Sequence, residues 1–195
     1  MRLSIVTTLY RSAAHVEEFH ARMTRAAEQV SADFELVVVN DGSPDDALDR
    51  MLRIQKRDPK LRVIDLARNF GHHRAIMAGL AAARGERVFL IDADLEEPPE
   101  LLLRFWAELE SGAHDVVFGV QEQRKGGWFE RVSGRMFYRL FNVLSSDPVP
   151  ENLITARLMT RPYVAALLSY QETELFLGGI WAIAGFRQSP VSVVK

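Results

Sequence analysis

The sequence predicts an α/β fold, a mostly parallel sheet flanked by helices in a single domain, and three observations carry that prediction. Short apolar runs alternate with segments of helical periodicity along most of the chain, the mark of strands joined by crossover helices. The 195 residues fit one domain at ~100 to 200 residues per domain. A composition of 48% hydrophobic and 26% charged residues supports a packed core.

Arg2–Leu9 reads as the first strand. Ala13–Val30 follows as a helix with Val16, Phe19, Met23, Ala27 and Val30 on one face and Ser12 as its N-cap. Phe34–Val39 is a second buried strand running into Asn40-Asp41-Gly42-Ser43-Pro44, where Ser43 is expected to cap a helix that opens on Pro44 and ends near Lys56. Arg62–Leu66 gives a third strand, Arg74–Ala83 a helix stopped by Gly85, and Arg87–Ile91 a fourth strand, fully apolar over Val88-Phe89-Leu90-Ile91, that is followed by Asp92-Ala93-Asp94. Pro98 and Pro99 open a helix with Leu102, Phe105, Trp106 and Leu109 facing inward, and Asp115–Gly119 is a fifth strand.

Beyond Gly119 the rhythm changes. A polar stretch leads into Trp128–Leu144, an amphipathic helix whose Arg131, Arg135 and Arg139 lie four residues apart in one cationic stripe. Leu153–Met159 reads as a strand, Pro162–Ser169 and Glu172–Ala184 as helices, and Phe186–Val194 as a closing strand.

Composition excludes several function classes. Lys plus Arg (24) nearly balance Asp plus Glu (26), a net charge of -2, so no global positive field attracts nucleic acid. Cysteine is absent, which removes disulfides, thiolate metal sites and cysteine nucleophiles. The longest apolar run, Leu175–Phe186, has 12 residues, short of the ~18 that mark a membrane span. With no signal-like N-terminus, the expected location is the cytoplasm. The five histidines lack zinc-site spacing.

The strongest chemical constellation is a pair of acidic segments after two apolar strands, Asn40-Asp41-Gly42 and Asp92-Ala93-Asp94. Ligands of open parallel sheets sit at the carboxyl ends of strands. Asp92, Asp94, Glu96 and Glu97 place four acids within six residues. That is more than the capping of a helix at Pro98 requires, and it suits Mg²⁺, which takes one or two carboxylates plus phosphates and water. Asp41-Gly42 by itself is ordinary turn chemistry. The chain has neither GxxxxGK[ST] nor GxGxxG, so a nucleotide would be held by carboxylates and metal.

Four segments, Val39-Asn40-Asp41-Gly42-Ser43, Leu66-Ala67-Arg68-Asn69-Phe70-Gly71-His72, Ala78-Gly79-Leu80 and Asp92-Ala93-Asp94-Leu95-Glu96-Glu97-Pro98-Pro99, together resemble the inverting glycosyltransferases of family 2, in particular the dolichyl- or polyprenyl-phosphate sugar transferase branch. The resemblance covers nearly the whole chain. It implies a GT-A fold with a Rossmann-like sheet, a UDP-, GDP- or dTDP-sugar donor, and Mg²⁺ or Mn²⁺ as cofactor. It also implies roles: Thr8, Tyr10, Asp41, Arg68 and Asp92 on the nucleotide side, and Asp94 and Glu96 on the metal, Asp94 thereby serving catalysis. Residues 1–119 then form the nucleotide and metal half and residues 120–195 the acceptor side of one catalytic domain.

The acceptor is approached through the cationic stripe. Arg124, Arg131 and Arg135, beside Trp128 and Phe129, suit a phosphate headgroup on a greasy tail at a membrane surface. A solvated amphipathic helix accounts for the same pattern.

Two departures from the family bear on mechanism. Thr8-Leu9-Tyr10-Arg11-Ser12 replaces the usual Pro-x-Tyr-Asn-Glu. Thr155-Ala156-Arg157-Leu158 stands where that branch shows Asp-Phe-Arg-Leu, so a carboxylate is missing. A phosphate acceptor, with a second pKa near ~6, is already anionic at neutral pH and needs no base. A glycan hydroxyl needs one, and Glu172 and Glu174 are then the candidates, although such acids equally suit a helix N-terminus. The expected protein is thus a metal-dependent glycosyltransferase at the inner face of the membrane, acting on a lipid phosphate or, alternatively, a glycan hydroxyl; a non-catalytic nucleotide-sugar binding subunit is the remaining reading.

Overall fold

The most apolar segments become the innermost strands, because a strand covered by helices on both faces must be hydrophobic on both. The computed structural model describes residues 1–121, 152–170 and 177–193. Its strands are β1 (Leu3–Leu9), β2 (Phe34–Asn40), β3 (Leu61–Asp65), β4 (Arg87–Leu90), β5 (Val116–Gln121), β6 (Leu153–Thr160) and β7 (Gln188–Val193). Its helices are α1 (Val16–Val30), α2 (Ala47–Gln55), α3 (His72–Ala82), α4 (Leu101–Glu110), α5 (Arg161–Leu168) and α6 (Leu177–Ile183). The seven strands form one sheet in the order β3-β2-β1-β4-β6-β5-β7. Strands β1 to β4 are mutually parallel, and β5 and β7 pair in parallel. β6 runs antiparallel between β4 and β5, with Leu90 opposite Arg157 and Phe118 opposite Arg157.

Alternating side chains send the sheet's two faces into two cores. Leu3, Ile5, Leu36, Val38 and Phe89 pack with α1, α2 and α4, whereas Val6, Val37, Val88 and Leu90 pack with α3, α5 and α6. α3 lies very close to the sheet at Gly79, where an added Cβ would meet Val6 Cγ1 at 2.5 Å. That proximity fixes the start of α3, and with it His72, against the ends of β1 and β4.

Two expected caps take other roles. α1 begins at Val16 rather than Ala13, and the Ser12 hydroxyl donates to the Tyr10 carbonyl and accepts the Tyr10 N–H. α2 begins at Ala47 rather than Pro44. Ser43 Oγ accepts the Arg11 N–H at 2.7 Å and donates to Asp45, and Asp45 in turn accepts the Ala13 N–H at 2.9 Å. These hydroxyls therefore stitch the loops after β1 and β2 together instead of starting helices, because a neighbouring loop offers donors that local capping would otherwise have supplied. α3 starts at His72, two residues before the expected Arg74. Of the expected helix 172–184, residues 177–183 are helical, and 171–176 lie outside the described residues.

A buried polar cluster closes the opposite end of the sheet. Glu35, 2% exposed, accepts from Ser4 Oγ (2.7 Å), Arg62 Nη1 (2.7 Å) and the Arg84 N–H (2.8 Å). Burial alone would raise its pKa, but these donors outweigh burial and hold it below the usual 4.5. A folded-state value below the unfolded one means that the ionised group stabilises the fold above about 4.5, and that this contribution vanishes as the pH falls through the folded value. Glu35→Gln should therefore unfold at lower denaturant than the wild type at pH 7, with the gap narrowing as the pH falls below about 4.5. A gap that stays constant with pH contradicts this account.

Candidate functional site

The strand order reverses between β1 and β4, since β1 leads outward through β2 to β3 while β4 lies on its other side. This switch point opens a crevice at the carboxyl ends of the strands. Thr8 near the end of β1, His72 at the start of α3 and Asp92 just past β4 meet there. Thr8 Oγ1 lies 3.1 Å from His72 Nδ1, and His72 Nε2 lies 3.5 Å from Asp92 Oδ1. His72 thus spans the crevice between Thr8 and Asp92.

Asp41, 2% exposed, follows β2. Its Oδ1 accepts the Phe70 N–H at 2.7 Å and its Oδ2 the Gly71 N–H at 3.0 Å. The carboxylate therefore braces the loop that carries Arg68, Asn69 and Phe70 to the crevice. Gly42 permits this approach: its φ is +61°, and a Cβ there would lie 2.5 Å from the Asn69 nitrogen. Arg68 is exposed, with its guanidinium 4.1 Å from the Phe70 ring centroid and Nη1 donating to the Asn69 carbonyl. Tyr10 is 47% exposed, with the Arg11 guanidinium 5.4 Å from its ring centroid. Arg11 itself has φ +56°.

The second acidic segment divides by exposure. Asp92 is half-buried, whereas Asp94 and Glu96 are exposed. Asp94 Oδ1 accepts the Glu96 N–H at 3.0 Å, closing a tight turn across Leu95, which is left-handed at φ +62°. Holding a leucine in that region costs of order 1 to 3 kcal/mol and persists only where surroundings enforce it. Here Leu95 packs against the larger core, and its anchored side chain leaves the two carboxylates outside.

Glu97 departs from the sequence reading, which grouped it with the hard metal ligands. It is 2% exposed, and its Oε1 and Oε2 accept the N–H groups of Thr155 (3.1 Å) and Ala156 (2.9 Å). Its carboxylate faces into β6. Among the described residues no group of three or more acidic or histidine side chains is arranged to hold a metal ion. A divalent cation here would have Asp94 and Glu96 as protein ligands and complete its shell with donor phosphates and water, which fits the chemistry of Mg²⁺ and Mn²⁺.

Arg124, Arg131, Arg135, Glu172 and Glu174 lie outside the described residues. The sequence reading gave no role to Arg157, which is 1% exposed with its guanidinium 3.0 Å from the Trp181 ring centroid. An arginine within the expected strand Leu153–Met159 was the available signal, since a charge is rarely fully buried without dedicated partners.

The architecture defines an open α/β domain with a switch point of the kind at which such sheets bind ligands, and with outward acids beside it. The model of the family described as glycosyl transferase family 2 matches residues 4–168, and the chain belongs to that family. A Mycobacterium tuberculosis protein whose name places it among the glycosyltransferases is 50% identical over 195 residues, all of this chain and 57% of the relative. The Bacillus subtilis protein YkcC, named an uncharacterized glycosyltransferase, is 34% identical over 196 residues, covering all of this chain and 60% of its own length. The chain thus spans less than two thirds of these relatives.

Solved structures share the GT-A fold. The mannosyltransferase PcManGT from Pyrobaculum calidifontis, in complex with GDP-Man and Mn²⁺, matches with a TM-score of 0.70 at 20% identity over 100% of this chain and 56% of that one. Glucosyl-3-phosphoglycerate synthase from M. tuberculosis, in complex with Mn²⁺, UDP and phosphoglyceric acid, matches with a TM-score of 0.71 at 16% identity over 99% of this chain and 69% of that one.

Proposed function

We propose that this chain is the catalytic domain of a metal-dependent inverting glycosyltransferase that moves a sugar from a nucleotide donor to a polyprenyl-phosphate-type lipid acceptor at the cytoplasmic face of a membrane. The observation that carries the reading is the meeting, at one switch point, of the Asp41-braced loop, the Thr8–His72–Asp92 line and the outward Asp94–Glu96 turn. Support for a nucleotide-sugar donor and a divalent metal comes from the GDP-Man, UDP and Mn²⁺ complexes of the structural neighbours. The lipid acceptor rests on the sequence resemblance and on the Arg124, Arg131 and Arg135 stripe.

In this reading the loop of Arg68 and the Tyr10 side chain line the nucleotide, with Asp41 holding that loop in place. Asp94 and Glu96 would hold the metal, which when bound neutralises charge growing on the departing diphosphate. An acceptor phosphate oxygen attacks the anomeric carbon from the face opposite the diphosphate, the bond to that leaving group breaks, and configuration inverts. The attacking phosphate arrives as an anion, so Thr155 in place of a carboxylate is compatible with turnover. Arginines beside aromatic side chains would keep the headgroup at the membrane surface.

Labelled sugar nucleotides, tested with polyprenyl phosphate in detergent and with soluble glycans in parallel, check the assignment. Label entering an organic-extractable, mild-acid-labile product is expected; transfer to glycans alone overturns the acceptor, and an inert chain in every combination supports the binding-subunit reading.

A further inference from the structure

Two consecutive peptide units of β6 are bound at both ends by opposite charges. In the first, the Ile154 carbonyl accepts from Arg157 Nη2 at 3.3 Å while the Thr155 N–H donates to Glu97 Oε1 at 3.1 Å. In the second, the Thr155 carbonyl accepts from Arg157 Nε at 3.2 Å while the Ala156 N–H donates to Glu97 Oε2 at 2.9 Å. Carboxylate, peptide dipole and guanidinium therefore line up twice in parallel. Each hydrogen bond polarises the next in such a chain, and charge-assisted bonds are the strong ones.

Both charged groups are almost fully buried, at 2% and 1% exposure. Trp181 of α6 covers the guanidinium at 3.0 Å, and burial brings the Arg157 pKa down to about 9 despite the opposing influence of Tyr163 and Glu97. Buried ion pairs are poor sources of net stability, because desolvation offsets most of the attraction. What such a pair does supply is a fixed geometry. Glu97 directly follows Glu96, so whatever fixes Glu97 sets one end of the turn that presents Asp94 and Glu96.

We propose that Arg157 is a positioning residue for the acidic loop 92–97, acting through the two β6 peptide units and Glu97 to hold Asp94 and Glu96 where a divalent cation is bound. The part of this proposal that concerns the cation rests on the metal assignment above; the mechanical link from Arg157 to the loop does not. Arg157 touches no reacting atom in this scheme.

The test uses Arg157→Met, which keeps the stem and removes the charge, with Arg157→Lys as the conservative variant and Glu97→Gln as a cut from the other end. Hydrogen exchange is read first, without metal. Arg157→Met should speed exchange in peptides spanning 92–97 and 153–157 at least tenfold while peptides from β1 and β2 stay as in wild type. Unchanged exchange at 92–97 overturns the proposal. Mn²⁺ dependence of nucleotide binding is read second: half-saturation should rise at least tenfold in Arg157→Met, less in Arg157→Lys, with metal-free binding unaltered.

If the wild type itself shows no Mn²⁺ dependence, the metal assignment fails, and exchange alone decides the link. Should Arg157→Met not fold, Glu97→Gln must give the same pattern at 92–97, and its absence there counts against the proposal. When both variants fold, their effects on Mn²⁺ half-saturation should be non-additive, since each breaks the same chain; full additivity contradicts it.

Discussion

Asp94→Ala is expected to lower metal-assisted binding of a nucleoside diphosphate at least 100-fold, about 2.7 kcal/mol at 1.36 kcal/mol per decade, while leaving the fold intact. Asp94 is exposed and contributes one local bond, to the Glu96 N–H at 3.0 Å. Because that bond is exposed to water, its loss costs about 1.5 kcal/mol, the low end for a bond to a charged group, so melting should move little. The effect on binding is far larger because, in the proposed site, a cation left with Glu96 alone would lose one of two protein carboxylates. Asp94→Asn separates the two roles: it keeps an acceptor for the Glu96 N–H but no charge. Binding by Asp94→Asn should fall nearly as far as by Asp94→Ala, measured by calorimetric titration with Mn²⁺. Wild-type affinity in Asp94→Ala would remove Asp94 from the metal site.

Asp41→Ala should show the reverse balance, with stability lost together with binding. Both of its carboxylate oxygens accept N–H groups of the β3–α3 loop. Hydrogen bonds to a charged group contribute ~1.5 to 3 kcal/mol each, and because both are accepted by one carboxylate from partly exposed N–H groups their losses are less than additive. A destabilisation of about 2 to 4 kcal/mol is expected, roughly 4 to 16 °C in melting temperature for a domain of this size. Because the Phe70 and Gly71 peptides would relax, Arg68 would also lose its position, and nucleotide affinity should drop even with saturating Mn²⁺. Asp41→Asn retains one acceptor oxygen and should fall between. A melting temperature equal to wild type would show that the brace contributes nothing to the loop.

Much of this arrangement was legible in the residues. Short apolar runs and period-3.6 patterns located the strands and most helices, because a sheet covered on both faces leaves a continuous apolar record such as Val37-Val38-Val39 or Val88-Phe89-Leu90. The acidic ends of β2 and β4 were visible for the same reason, since a carboxylate directly after an apolar run stands out.

What the sequence concealed was long-range hydrogen bonding. Ser12 and Ser43 look like caps locally, yet Ser43 is claimed by Arg11, 32 residues away in sequence. Glu97 looks like a fourth metal ligand until β6, some 58 residues later, presents two N–H groups to it. Asp41 reads as a turn residue because its partners, Phe70 and Gly71, lie beyond the next strand. Propensity and spacing record neighbours along the chain, whereas these contacts are set by which loops the sheet order brings together. His72 is the same case: its place between Thr8 and Asp92 follows from the reversal of strand order at β1 and β4.

In the proposed reading, the switch point between β1 and β4 binds a nucleoside diphosphate together with a divalent cation. Calorimetric titration of UDP, GDP and dTDP into the wild-type chain, each with Mn²⁺ and again with chelator, tests it most directly. One of the three should bind markedly more tightly than the others, and chelator should abolish most of that affinity. Absence of binding by all three in the presence of Mn²⁺, or binding that chelator leaves untouched, would contradict it.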